Sequence, residues 1–239
     1  MSRGLQVLLN YTWSHSIDTN SGDTIQPVSS SFAPVAGDRG SSDFDVRQNF
    51  TGAFTYAVPS FRKNVVLHKI SEGWALSGFV LARSGSPIGI RTFAFGPGGV
   101  LIVRPDLVLG QPIWIDQAGA AGGRILNPNA FAIHPFALRQ GTLPRNIIYG
   151  FGATQFDTSV QRNFNFSERM RLQFRADIFN VFNHANFTNP EGVFFDGLTP
   201  QFGMSISTLN QGLSNGAGLN PLYSIGGPRS IQLSLKLFF

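Results

Sequence analysis

The 239-residue chain carries 13% charged residues and 13% aromatic ones, with Phe contributing 23, and that charge share is about half that of a soluble globular domain. Its apolar runs, such as Val7 to Leu9 and Val100 to Val103, fall far short of the roughly 20 residues a membrane-crossing helix needs. A mean hydropathy of +0.04 with 42% hydrophobic residues is too apolar for a disordered chain, which leaves a β protein.

The net charge of +5 is scattered, and Arg62-Lys63 is the longest basic run, so no nucleic-acid partner is expected. With no cysteine, disulfides, zinc-thiolate sites and cysteine nucleophiles are excluded. Met1 to Gln6 lacks the features of a secretory leader, because Gln6 and Asn10 interrupt the apolar residues. The chain is therefore expected to be part of a longer barrel.

The first strand is expected over about 4–16, with Leu5, Val7, Leu9, Tyr11 and Trp13 on one face and Gln6, Leu8, Asn10, Thr12 and Ser14 on the other. A second, about 44–58, faces Phe50, Phe54, Tyr56 and Val58 one way. The third, about 72–86, sets Trp74, Leu76, Val80 and Ala82 against Ser77 and Arg83. In the fourth, about 154–166, Phe156, Val160, Phe164 and Phe166 oppose Asp157, Ser159, Gln161 and Asn163.

The fifth, about 169–182, places Met170, Leu172, Phe174, Ala176 and Ile178 against Arg171, Gln173, Arg175 and Asp177. The sixth, about 229–239, alternates Ile231, Leu233, Leu235, Leu237 and Phe239 with Ser230, Gln232, Ser234, Lys236 and Phe238. Ten or eleven residues at roughly 3.3 Å each reach about 35 Å, which at a 45° tilt crosses the roughly 25 Å apolar band of a transmembrane barrel.

Arg162 is the single charge on the six apolar faces, near a strand end where a long side chain can snorkel. Tyr11, Trp13, Tyr56 and Trp74 also fall near strand ends, as interfacial girdles require. The links run roughly 27, 13, 67, 3 and 46 residues, alternating long and short as in barrels with long outer loops. All 14 prolines lie in them, where no ladder donor is lost. The expected fold is thus all-β, an antiparallel up-and-down transmembrane β-barrel segment of six strands, an incomplete barrel with long extracellular loops.

Patterns of catalytic chemistry are weak. Gly212-Leu213-Ser214-Asn215-Gly216 matches a nucleophile elbow but lacks the strand and helix that expose the serine, so it reads as a loop. Asp38, Asp43 and Asp45 depart from a calcium loop and read as a solvated loop entering a strand. His15, His68, His134 and His184 have no metal-ligand spacing, so no metal site is assigned. Gly150-Phe151-Gly152 lacks the third glycine and the following helix of a dinucleotide fingerprint, and no cofactor is expected. An enzyme is not expected.

Asn10 to Asp18 (NYTWSHSID), Ser42 to Phe50 (SDFDVRQNF), Gly73 to Gly85, Leu126 to Ala132 (LNPNAFA), Leu172 to Phe187 (LQFRADIFNVFNHANF) and the terminal Phe239 together resemble the C-terminal barrel region of Oar-like TonB-dependent outer-membrane receptors. The resemblance implies TonB-dependent uptake of a large or scarce ligand across the cell outer membrane of a Gram-negative type bacterium. It also implies partners: outer-membrane lipid, an N-terminal barrel and plug missing from this sequence, the TonB system through that part, and the barrel-assembly machinery. That machinery would read Leu233, Leu235, Leu237 and Phe239. Arg171, Arg175, Asp177 and Lys236 are expected on the lumen face, against a plug or as a solvated wall. Two rivals remain open: a soluble or surface β-sandwich binding a glycan or protein, and a stand-alone oligomeric pore.

Overall fold

The computed structural model describes residues 4–21, 38–61, 64–96, 99–136, 139–195, 199–212 and 225–239. Six long strands form one sheet: β1 (Leu5–Trp13), β2 (Gln48–Ala57), β3 (Trp74–Arg83), β4 (Ala153–Asn165), β5 (Arg171–Phe179) and β6 (Ser230–Phe238). They lie in chain order, each antiparallel to its neighbour, and among the described residues the edges at β1 and β6 have no strand partner.

Register joins the separate alternations into one surface. Leu5, Tyr56, Leu76, Val160, Ala176 and Leu233 form a single row across all six strands, and Val7, Phe54, Gly78, Thr158, Ile178 and Ile231 form the next. A slip of one residue at any pairing would send that strand's polar side chains to this face. Phe54 leans across Gly78, where a Cβ would stand 2.3 Å from its ring. The face is open: Leu9, Leu233 and Leu235 are each more than 60% exposed. A sandwich would cover this face with a second sheet, and an apolar surface this wide is not left to water by soluble monomers.

Strand ends differ from expectation where side chains divert the backbone. The second strand begins at Gln48 instead of residue 44, because Ser42, Asp45 and Arg47 bond within the preceding loop. The fifth stops at Phe179 because Asn180 turns to φ 47°.

The connections hold structure of their own, most of it in two of them. The link after β2 contains a short helix, α1 (Val65–Ser71), whose N-terminus is capped by the Asn64 side chain accepting from the Val66 and Leu67 N–H groups. The long link after β3 folds into strand pairs, Thr92–Gly96 with Gly99–Val103 and Trp114–Asp116 with Arg124–Leu126. The second pair, through Leu126 and Trp114, joins an apolar core of Ile88, Ile90, Leu126, Ala130, Phe131, Leu143 and Ile148, closed by Phe202 from the link after β5. Phe202 packs edge-on to Phe131 at 5.6 Å. The long links are thus folded bodies with a core of their own.

Candidate functional site

The loops are locked together by charge. Asp38 of the first loop meets Arg104 of the second at 2.7 Å with both side chains buried, and Arg104 Nε also donates to the Leu143 carbonyl at 3.0 Å. Asp45 accepts from the Ser16 N–H (2.9 Å), the Tyr149 hydroxyl (2.7 Å) and Arg47 Nε (2.7 Å). Burial pushes its pKa up, but those three donors outweigh it and hold the carboxyl below its ordinary value. Asp18 follows the same pattern: burial raises its pKa, while bonds from Ser42, Arg145 and Ser21 lower it further.

This corrects the expectation of a solvated acidic loop. Asp38 and Asp45 are 3% and 1% exposed, drawn inward because arginine and tyrosine partners make burial affordable in free energy. Asp43 alone keeps a mostly exposed side chain, which accepts from Asn146 at 2.6 Å. Among the described residues no group of three His, Cys, Asp or Glu is gathered to hold a metal.

Beneath the locked loops, where β3 ends on the polar side of the sheet, lies a cavity of about 470 Å³. Arg83, Ser84, Ser86, Thr188 and Asn189 give it a polar wall, and Phe151, Phe187, Leu209, Ile225 and Val46 an apolar one. Arg83 shares its row with Asn49 and Ala153, and no described residue bonds to its guanidinium. Phe151 and Phe187 meet edge-on at 6.0 Å, and Phe151 continues to Trp114 at 5.8 Å, over which Arg124 stacks at 4.2 Å.

Gly150 lets this wall close, since a Cβ there would fall 2.0 Å from Asn189 Oδ1. The strand expected after Gly150-Phe151-Gly152 is present as β4. What the sequence reading missed is that Phe151 and Arg83 meet at a cavity. The signal was Gly85 and Gly150 in separate segments, whose backbones approach so closely that a Gly85 Cβ would lie 2.3 Å from the Gly150 oxygen.

The expected site residues fall on two faces. Leu233, Leu235 and Leu237 pair with Ala176, Phe174 and Leu172 on the apolar face, and Phe239 follows the strand almost fully exposed. Arg171, Arg175, Asp177 and Lys236 all lie on the opposite face, but in two groups. Arg175 and Asp177 form an ion pair at 2.7 Å; Arg171 and Lys236 flank the Phe238 ring at 4.3 and 4.8 Å. Asp157 is tied to the strand exit by the Asn180 N–H at 2.8 Å. His134 pairs with Asp106 at 2.9 Å, and His68 lies 3.8 Å from Glu72. In the nucleophile-elbow pattern, residues 213–216 lie outside the described residues.

An antiparallel meander with one continuous apolar face, a polar opposite face and folded loops at one edge has the build of a transmembrane β-barrel wall. The chain belongs to the outer membrane beta barrel domain family, whose model matches residues 1–232. Its location is accordingly the outer membrane of a Gram-negative-type cell envelope. Searches of curated proteins and of solved structures gave no match.

Proposed function

We propose that this chain supplies part of the wall and the outer loops of an Oar-like, TonB-dependent transporter, and that the cavity at Arg83 holds an anionic, partly aromatic end group of the ligand. The observation that carries the reading is a cationic side chain with no partner among the described residues, facing a half-apolar cavity on the polar side of a membrane sheet. Cavities of this size and mixed lining suit organic ligands, and Phe151 with Phe187 offers ring faces and edges. The role is transport, without catalysis.

The edges of β1 and β6, which have no strand partner among the described residues, leave rows of backbone donors and acceptors that a barrel must pair. Further strands of the same transporter, closing around a plug, are the partner we assign them. Arg171, Arg175, Asp177 and Lys236 would then face the plug, and Leu233, Leu235, Leu237 and Phe239 would serve the assembly machinery as well as lipid. The same open edges favour, as a second reading, several copies closing one pore.

Calcein, a large aromatic polyanion, separates the two in whole cells. Energised uptake predicts periplasmic accumulation that is lost on removing TonB and reduced by Arg83→Gln. Entry that persists without TonB contradicts it and favours the pore.

A further inference from the structure

Helix α1 is amphipathic, yet none of its residues is buried. By three- and four-residue spacing Val66, Leu67 and Ile70 share one side, while His68 and Lys69, with Val65 beside them and Glu72 at the C-cap, share the other. Val66, Leu67 and Ile70 are all more than half exposed, as is Phe61 just before the helix.

Its attachment decides what covers that side. Trp74 and Arg162 stand on the apolar face, in the row with Phe174 and Leu235. Trp74 Nε1 donates to the Ile70 carbonyl at 2.8 Å, and the Arg162 guanidinium donates to the Lys69 carbonyl. Two side chains of the apolar face thus hold the last carbonyls of α1, where a cation also complements the helix dipole. The helix is thereby tied to two side chains of the apolar face at the short-turn end of the strands. Arg162 also stacks over Phe164 at 4.5 Å and Trp74 at 5.2 Å, so the single charge of this face ends at the interface, as snorkelling requires.

We propose that α1 is an interfacial anchor on the short-turn side of the membrane, with Val66, Leu67 and Ile70 among the upper acyl carbons and Lys69 toward lipid phosphates. The inference rests on the sheet's apolar face being the lipid face.

The absence of cysteine makes an introduced one a unique label site. Bimane is attached to Val66→Cys, with Leu235→Cys and Ser234→Cys as references on the two sheet faces. The labelled 239-residue chains are refolded into phosphatidylethanolamine and phosphatidylglycerol vesicles containing acyl-brominated lipid. The anchor predicts that bromolipid quenches Val66 to within about twofold of Leu235 and that iodide quenches it less than Ser234. Quenching at Leu235 with none at Val66 overturns the anchor and leaves the lipid-facing sheet standing. No bromolipid quenching at Leu235 overturns the lipid-face reading on which the anchor depends.

Discussion

The Asp38 carboxylate and the Arg104 guanidinium, in different long loops, meet at 2.7 Å with both side chains more than 90% buried. The pair makes one body of two loops, and the bond from Arg104 to the Leu143 carbonyl ties that body to its apolar core. Asp38→Ala removes the carboxylate that meets this buried guanidinium, which costs about 3 to 5 kcal/mol. Faster proteolysis of the loop region is the expected outcome. The double variant Asp38→Leu with Arg104→Met recovers most of the loss, because two apolar groups leave no charge to compensate; a double-mutant cycle measures the difference.

Asp106 gives the loops a pH dependence. Bidentate bonds from Arg139 at 2.8 and 2.6 Å, with the Thr142 N–H at 2.8 Å, lower its pKa from 3.8 to about 2 against the opposing effect of burial. A depressed folded-state pKa stabilises the folded form above the unfolded value, so the contribution is complete above about pH 4 and is lost as pH falls through 2. Amide exchange at Thr142 should accelerate over that window beyond its intrinsic pH dependence. Asp106→Asn should flatten this excess.

The two faces of β6 should respond oppositely to one charge. Leu233→Arg puts a guanidinium in the apolar row of Val160 and Ala176, at a cost of about 2 to 4 kcal/mol toward the bilayer midplane. Ser234→Arg, one residue on and facing the other way, should change stability by less than about 1 kcal/mol. Urea unfolding in vesicles reads both.

Asn180 combines a left-handed backbone, φ 47°, with side-chain bonds to the His184 carbonyl at 2.9 Å and the Gly227 carbonyl at 2.7 Å. Asn180→Ala loses the bonds, about 1 to 3 kcal/mol, and adds roughly 1 kcal/mol of backbone strain. Asn180→Gly loses only the bonds, so unfolding should rank wild type above Gly and Gly above Ala.

The strands were legible because period-two alternation is local: Ile231 to Leu237 shows its two faces with no knowledge of the neighbours, and register then aligns six such patterns. The motifs behind the family resemblance were legible as strings without their roles. LNPNAFA proves to be the heart of the loop core, with Leu126 and Ala130 fully buried and Asn127 bonded to the Pro112 carbonyl and the Asn129 N–H. In NVFNHANF, Asn186 binds the backbone of Thr154 through both its oxygen and its nitrogen. The core was hidden because Ile88, Leu126 and Phe202 are distant in sequence; Asp38 and Arg104, 66 residues apart, were hidden for the same reason. Helix α1 spans under two full turns of repeat, too little to stand out from the sequence around it, and its β-branched start reads equally well as strand.

The most direct test of the central claim is nitroxide accessibility along Ser230 to Phe238, one introduced cysteine at a time, in the refolded chain in lipid vesicles. A membrane wall predicts oxygen accessibility peaking at Ile231, Leu233, Leu235 and Leu237, with the water-soluble nickel chelate excluded there and admitted at Gln232 and Ser234. A profile without period two, or chelate access at Leu233 equal to that at Ser234, would contradict it.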